Sequence, residues 1–234
     1  MKSNIQNKTE LVNSVFSKVY KKYDLMNDVM SLGIHRIWKE KFIDWMNPLP
    51  RSKLIDVATG TGDIAKLFLD KTENSGNVTC VEPNFEMLSL GKKKLYNYKS
   101  VKWINAKAEK IPVKDNMFDY YSISYGIRNV SDINKSLKEA LRVLKPGGRF
   151  LCLEFSKIDN EILNFIYKQY SKTIPILGKL IVGSEDPYKY LVNSIDKFYN
   201  QDQFVGLMKK NGFSKIEYRN LSSGISTIYS GWKI

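Results

Sequence analysis

Lys53-Leu54-Ile55-Asp56-Val57-Ala58-Thr59-Gly60-Thr61-Gly62-Asp63 decides the fold. The stretch starts as a short apolar run with β-branched residues, the signature of a buried strand. It then breaks into small residues and glycines. Asp63 opens a helical pattern, Ile64-Ala65-Lys66-Leu67-Phe68-Leu69. Strand, glycine turn and helix are how an open α/β sheet brings its backbone close to a ligand. Glycine is required because a Cβ would block the approach and restrict φ.

The spacing narrows the ligand. Gly60-Thr61-Gly62 followed by Asp63 is neither the G-x-G-x-x-G of a dinucleotide site nor the G-x-x-x-x-G-K-[ST] of a phosphate loop. A pyrophosphate wants free N–H groups at a helix start, whereas the acid at this start suits a cationic group. Asn77-Val78-Thr79-Cys80-Val81-Glu82 reads as a second strand ending in an acid. A carboxylate there can accept both hydroxyls of a ribose. A ribose acid without a phosphate loop indicates a nucleoside, and the neighbouring cationic centre points to S-adenosylmethionine. The competing structural explanation is a tight turn with a capping Asp63.

The rest of the chain repeats the alternation. Helical spacing runs from about Glu10 to Asn47, with Ile34, Ile37, Trp38, Phe42, Ile43 and Trp45 forming one apolar face before Pro48 and Pro50. Further strands are expected at Val101–Asn105, Phe118–Ser124 and Arg149–Phe155. Helices are expected at Pro83–Tyr98 and Asp132–Leu144, and Lys145-Pro146-Gly147-Gly148 reads as a stop. This alternation predicts a parallel sheet with helices on both faces and right-handed crossovers. After Ser156 come a helix around Ile162–Tyr170, an irregular insertion over Ile174–Tyr190, a helix over Ser194–Asn211, and a hairpin, Lys215–Leu221 with Ile225–Trp232.

The chain has 234 residues, 43% of them hydrophobic and 12% aromatic, enough for a globular core. No apolar run approaches the roughly 20 residues of a membrane helix. The polar start, Met1 to Lys8, lacks the apolar centre of a signal peptide. A cytoplasmic location is expected. Cys80 and Cys152 lie within expected strands and read as buried free thiols. With no CxxC and a single histidine, His35, no metal site is expected. The net charge of +13 is compatible with a polyanion or an anionic membrane. The lysines are scattered, and the clusters Lys92-Lys93-Lys94 and Lys209-Lys210 sit on helical patterns, as solvated faces do.

Several segments together resemble the ubiquinone/menaquinone biosynthesis C-methyltransferases. They are Tyr23-Asp24-Leu25-Met26-Asn27-Asp28, Ser31-Leu32-Gly33-Ile34-His35-Arg36, Thr59–Asp63, Gly126-Ile127-Arg128-Asn129-Val130, Arg142–Arg149 and Leu153-Glu154-Phe155-Ser156-Lys157. The glycine turn and Lys-Pro-Gly-Gly are shared by S-adenosylmethionine-dependent methyltransferases in general; the other segments are more specific. Glu82 stands where this family often has Asp, and Lys107 where it often has Asn. Thr59 stands where the turn often has Gly.

The resemblance implies a class I methyltransferase fold: a seven-stranded, mostly parallel sheet, helices on both faces, one antiparallel strand from the C-terminal hairpin and an N-terminal helical cap. The cap would span 1–50 and the methyltransferase domain 51–234, with an insertion at about 158–200, as one structural unit. S-adenosylmethionine would be held by Gly60, Thr61, Gly62, Asp63, Glu82, Lys107, Ala108 and Ser124. The implied reaction methylates a ring carbon of a polyprenylated quinol, a benzoquinol or a naphthoquinol. The alternative is a small-molecule O- or N-methyltransferase of the same fold. Carbon methylation needs an electron-rich, phenolate-like ring. Arg128 would stabilise the oxyanion directly or orient a water that takes the proton. Tyr125 and Asn129 would orient the ring. Partners would be the quinol and, transiently, an anionic membrane surface, with no nucleic acid. Assembly stays open between a homodimer and a quinone-biosynthesis complex.

Overall fold

The computed structural model describes residues 28, 31, 33–158, 161, 165, 167, 169–170, 173, 179 and 185–234. The helices expected between Glu10 and Met30, and most of the expected insertion, lie outside the described residues. In chain order the elements are α1 (His35–Met46), β1 (Lys53–Val57), α2 (Asp63–Lys71), β2 (Asn77–Val81), α3 (Phe85–Lys94), β3 (Val101–Ile104) and β4 (Phe118–Ser124). There follow a 3-10 turn (Ile127–Asn129), α4 (Ile133–Val143), β5 (Leu144–Phe155), α5 (Asp186–Asp196), α6 (Gln201–Lys210), β6 (Ser214–Leu221) and β7 (Ser226–Trp232).

The seven strands form one sheet in the order β3-β2-β1-β4-β5-β7-β6. All neighbours pair in parallel except β7, which is antiparallel to both β5 and β6. The strand order reverses beside β1, which places a crevice at the carboxyl ends of β1 and β4.

Alternation along the strands fills both faces. Leu54, Val78, Cys80, Leu151, Leu153 and Phe155 face one core, with Trp38, Phe42 and Met46 of α1, Phe68 and Leu69 of α2, and Tyr188 and Leu191 of α5. Ile55, Val57, Val81, Phe150 and Cys152 face the other, with Leu137 and Ala140 of α4 and Phe204 and Met208 of α6. A period of two with both faces apolar is what a covered parallel sheet requires.

Helix α1 buries His35, Trp38, Lys39, Phe42, Ile43 and Met46, a stripe at helical spacing. Ile34 and Ile37, expected on that stripe, are exposed, because their positions rotate off it. Arg149 anchors the end of α1: its guanidinium donates to the Trp45 carbonyl (2.8 Å) and packs against the Trp45 and Trp232 rings.

Helix α4 ends at Val143, just before the expected stop. The stop segment, Lys145-Pro146-Gly147-Gly148, itself joins β5, because Gly147 N–H donates to Lys233 O (2.8 Å) and Lys233 N–H donates to Gly148 O (3.0 Å). Two further expectations are corrected. Residues 186–190 are the first part of α5 and not irregular. The helix expected over Ser194–Asn211 is two helices, parted after Asp196. Asn200 starts the second with a reciprocal cap: its side chain accepts from Gln203 N–H, and its own N–H donates to the Gln203 side chain.

Candidate active site at the carboxyl ends of β1 and β4

The turn after β1 alternates its backbone hand. Ala58, Gly60 and Gly62 all have positive φ, at 52°, 59° and 86°. Gly62 also lacks room for a side chain, since a Cβ there would lie 2.7 Å from Leu95 Cδ1. The turn is pinned to β2 by Thr59 N–H donating to Val81 O (3.2 Å). Asp56, fully buried beneath it, accepts from Ser122 Oγ (2.6 Å) and from Thr59 Oγ1. Burial pushes the Asp56 carboxyl up to about 6.

Glu82 follows β2 and turns its carboxylate back to the same turn. Its two oxygens accept from Gly60 N–H (2.9 Å) and Asn84 N–H (2.9 Å). Burial pushes this carboxyl up to about 7, against those two bonds, which favour ionisation. Asn105, past β3, donates to the Glu82 and Pro83 carbonyls (2.8 and 3.0 Å) and ties the third strand's loop to this corner.

An open concavity lies above the turn, lined by Lys39, Asp56, Ala58, Thr59, Gly60, Thr61, Asp63, Ile64, Ser124 and Tyr125. Ser124 Oγ is buried there without a hydrogen-bond partner among the described residues. Burial pushes the Asp63 carboxyl up, but Lys39 (2.6 Å) and Lys94 (2.5 Å) outweigh it and hold it well below the usual carboxylate range. Ser124 Oγ without a partner, the buried acid beside Gly60 and the charged side chains Lys39 and Asp63 in the concavity fit a ligand with a ribose and a zwitterionic end, as S-adenosylmethionine has.

The structure gathers Gly60, Thr61, Asp63, Ser124 and Tyr125 around one space. Glu82 stands beside it through its bond to Gly60. Lys107 and Ala108 sit further along, in the loop after β3, where Lys107 bridges to Lys110 and Ala108 packs into the core. Lys39, Asp56 and Ile64 line the space without having been foreseen.

Arg128 is not an open guanidinium. Its side chain is 5% exposed and its Nη1 donates to Glu154 Oε1 (2.5 Å) and to Tyr125 O (2.8 Å). Glu154 is fully buried; burial pushes its carboxyl up, and Arg128 opposes that shift. Asn129 donates to Tyr125 O (3.3 Å) and accepts from Tyr190 Oη (3.0 Å) of α5. Tyr125 itself has φ 54°, and its hydroxyl lies 3.2 Å from Ser226 Oγ. The segment Tyr125–Asn129 is therefore clamped between β5, α5 and β7.

Relatives place this architecture. Two solved structures share the fold at low identity: a SAM-dependent methyltransferase, possible histamine N-methyltransferase, from Thermotoga maritima (TM-score 0.66, 21% identity, 94% of this chain and 99% of that one) and a Haemonchus contortus phosphoethanolamine N-methyltransferase 2 with S-adenosylhomocysteine (TM-score 0.63, 16% identity, 84% and 52%). The sequence is 51% identical over 234 residues to the ubiquinone/menaquinone biosynthesis C-methyltransferase UbiE of Rickettsia bellii (strain OSU 85-389), covering 97% of this chain and 94% of that one. It is 45% identical over 263 residues to a mitochondrial 2-methoxy-6-polyprenyl-1,4-benzoquinol methylase of Dictyostelium discoideum, covering 99% and 84%. The description "ubiE/COQ5 methyltransferase family" matches residues 3–233, and with nearly the whole length aligned the chain belongs to that family.

Proposed function

We infer that the protein is an S-adenosylmethionine-dependent C-methyltransferase that methylates a ring carbon of a polyprenylated quinol. The observation that carries this reading is the near end-to-end kinship with UbiE-type and benzoquinol methylases. S-adenosylmethionine, when bound, supplies an electrophilic methyl group. The Glu82 carboxylate accepts the ribose hydroxyls, with Gly60 and Asn84 N–H groups fixing its orientation. Gly60 lines the space over the turn without a side chain, Gly62 lets the turn pack against Leu95 and Trp103, and Ser124 Oγ offers a donor to the ligand.

The substrate's ring meets the protein at Tyr125, Arg128 and Asn129. Arg128 acts from its ion pair: with Glu154 fixing Nη1, the rest of the planar guanidinium is held in one orientation, so a ring oxyanion meets a preorganised cation. Phe155 packs 5.5 Å from the same guanidinium and 4.8 Å from the Tyr125 ring, and limits water beside it. Near-attack alignment of ring carbon and methyl group supplies much of the rate.

No described helix is long and apolar enough to cross a membrane. The substrate's tail is lipid, and the net charge is +13. A cytoplasmic protein that adsorbs reversibly to anionic lipid is the location consistent with both. The test of the function is methyl transfer from labelled S-adenosylmethionine to short-tailed demethylated benzoquinol and naphthoquinol, kept reduced. Product on the ring carbon is expected; methylation at oxygen, or none with either quinol, overturns it. Vesicle sedimentation checks the location: binding should need anionic lipid and weaken with salt.

A further inference from the structure

Lys39 belongs to the cap helix α1, yet it lines the concavity over the glycine turn. Its side chain is only 10% exposed, and its Nζ lies 2.6 Å from Asp63 Oδ2. The other Asp63 oxygen is already held by Lys94 at 2.5 Å. Asp63 thus faces two ammonium groups, one on each carboxylate oxygen. A nearly buried cation is tolerated only where an anion completes its shell. Lys39 is also the only cationic side chain among the described residues lining this space. Of its neighbours there, Thr61, Ser124 and Tyr125 are neutral, and the buried Asp56 carboxyl accepts from Ser122 and Thr59.

We propose that Lys39 recognises the α-carboxylate of the methionyl end of S-adenosylmethionine, while Asp63 faces the ammonium. This rests on the cofactor named above. A zwitterion entering here leaves the net charge unchanged but alternates its signs, its carboxylate against Lys39 and its ammonium against Asp63. The neighbouring Ser124 Oγ, which lacks a partner, supplies a further polar contact. The cap helix then senses the loaded cofactor directly, because the side chain making the contact sits one residue from Trp38, which is packed in the core and bonded to Ser222 Oγ (3.0 Å).

The test compares calorimetric affinity for S-adenosylmethionine and for its decarboxylated analogue. The wild type should bind the decarboxylated analogue about 10–100-fold more weakly, the usual worth of one charge-assisted contact. Lys39→Met keeps the apolar stem, and Lys94 still holds Asp63. It should bring S-adenosylmethionine down to the analogue's affinity and leave the analogue's nearly unchanged, whereas Lys39→Arg should keep most of the discrimination. Equal affinities in the wild type, or discrimination surviving in Lys39→Met, overturn the assignment. If neither ligand binds, the methyltransferase reading falls, and this inference with it. Should Lys39→Met not fold, the Lys39 resonance of reductively ¹³C-methylated wild type decides. It should move with S-adenosylmethionine and not with the decarboxylated analogue, and a signal indifferent to the carboxylate rejects the contact.

Discussion

A Cβ on Gly126 would stand 2.6 Å from the Cβ of Ala58. The loops after β1 and β4 therefore approach as closely as two backbones with one methyl between them allow. Gly126 has φ −110°, so its need for glycine is steric and not conformational. Gly126→Ala should destabilise the fold by about 1–3 kcal/mol, as overpacking does. Adding Ala58→Gly should recover part of that loss, because it removes the colliding methyl and places glycine at a positive φ. Urea unfolding of the two single variants and the double checks this. Strictly additive losses would show that the two residues do not oppose each other.

Glu82 should make cofactor affinity depend on pH. Burial raises its carboxyl to about 7, and the ionised form is the better acceptor for ribose hydroxyls. Affinity should therefore rise between pH 6 and 8, by up to about tenfold, as the carboxyl loses its proton. Binding at pH 7 should release protons, which calorimetry in buffers of different ionisation enthalpy detects. Glu82→Gln should flatten both effects. The stability of the unliganded protein runs the other way. A carboxyl raised in the folded state contributes stability below its unfolded value of 4.5, and this is lost as pH rises through about 7. A wild type whose affinity is flat over this range would detach the carboxyl from the ligand.

The glycine turn and the acid after β2 were legible in the sequence because each sits at a fixed place in a strand–turn–helix pattern. Lys39 was not: at helical spacing it is one lysine among many, and its partner lies 24 residues on. Asp56 and Glu154 left a faint signal, a lone acid inside an apolar strand run, which in a covered sheet implies a buried partner. For Glu154 that partner, Arg128, is 26 residues away and only the sheet brings it near. The break between α5 and α6 was hidden because Phe198, buried beside Phe204, continues the apolar spacing. The Asn200-to-Gln203 cap was the readable sign.

Gly91 and Gly206 should respond oppositely to the same change. Both lie within helices, where alanine is favoured over glycine by about 0.5–1 kcal/mol. A Cβ on Gly206 meets nothing within 4 Å, so Gly206→Ala should stabilise by about that amount. A Cβ on Gly91 would collide with the Trp103 indole and come within 3.3 Å of Gly60 O. Gly91→Ala should destabilise by about 1–3 kcal/mol and alter the near-ultraviolet signal of tryptophan. Cofactor affinity should fall with it, because α3 carries the Asn84 cap whose N–H holds Glu82. Thermal unfolding that moved both variants the same way would contradict the packing described.

Arg128 and Glu154 should separate stability from catalysis. Removing one partner of a buried pair leaves an uncompensated charge, at about 3–5 kcal/mol, so Arg128→Ala and Glu154→Ala should each unfold at markedly lower urea. In Arg128→Ala the stranded carboxyl has lost the cation that opposed its burial, and its pKa should climb further. An acid raised in the folded state is most favourable at low pH, so this variant should be less impaired at pH 5 than at pH 8. Catalysis is read on folded protein in single-turnover methylation of a short-tailed quinol. If the guanidinium stabilises a ring oxyanion, Arg128→Ala should lower kcat and kcat/KM together by about 10²–10³. S-adenosylmethionine affinity should stay nearly intact. Arg128→Lys should rescue stability better than rate, because an ammonium can pair with Glu154 but lacks the second arm of the planar fork. Folded Arg128→Ala with near-normal turnover would confine the residue to a structural role, and an equal loss of cofactor affinity would move it to the binding site.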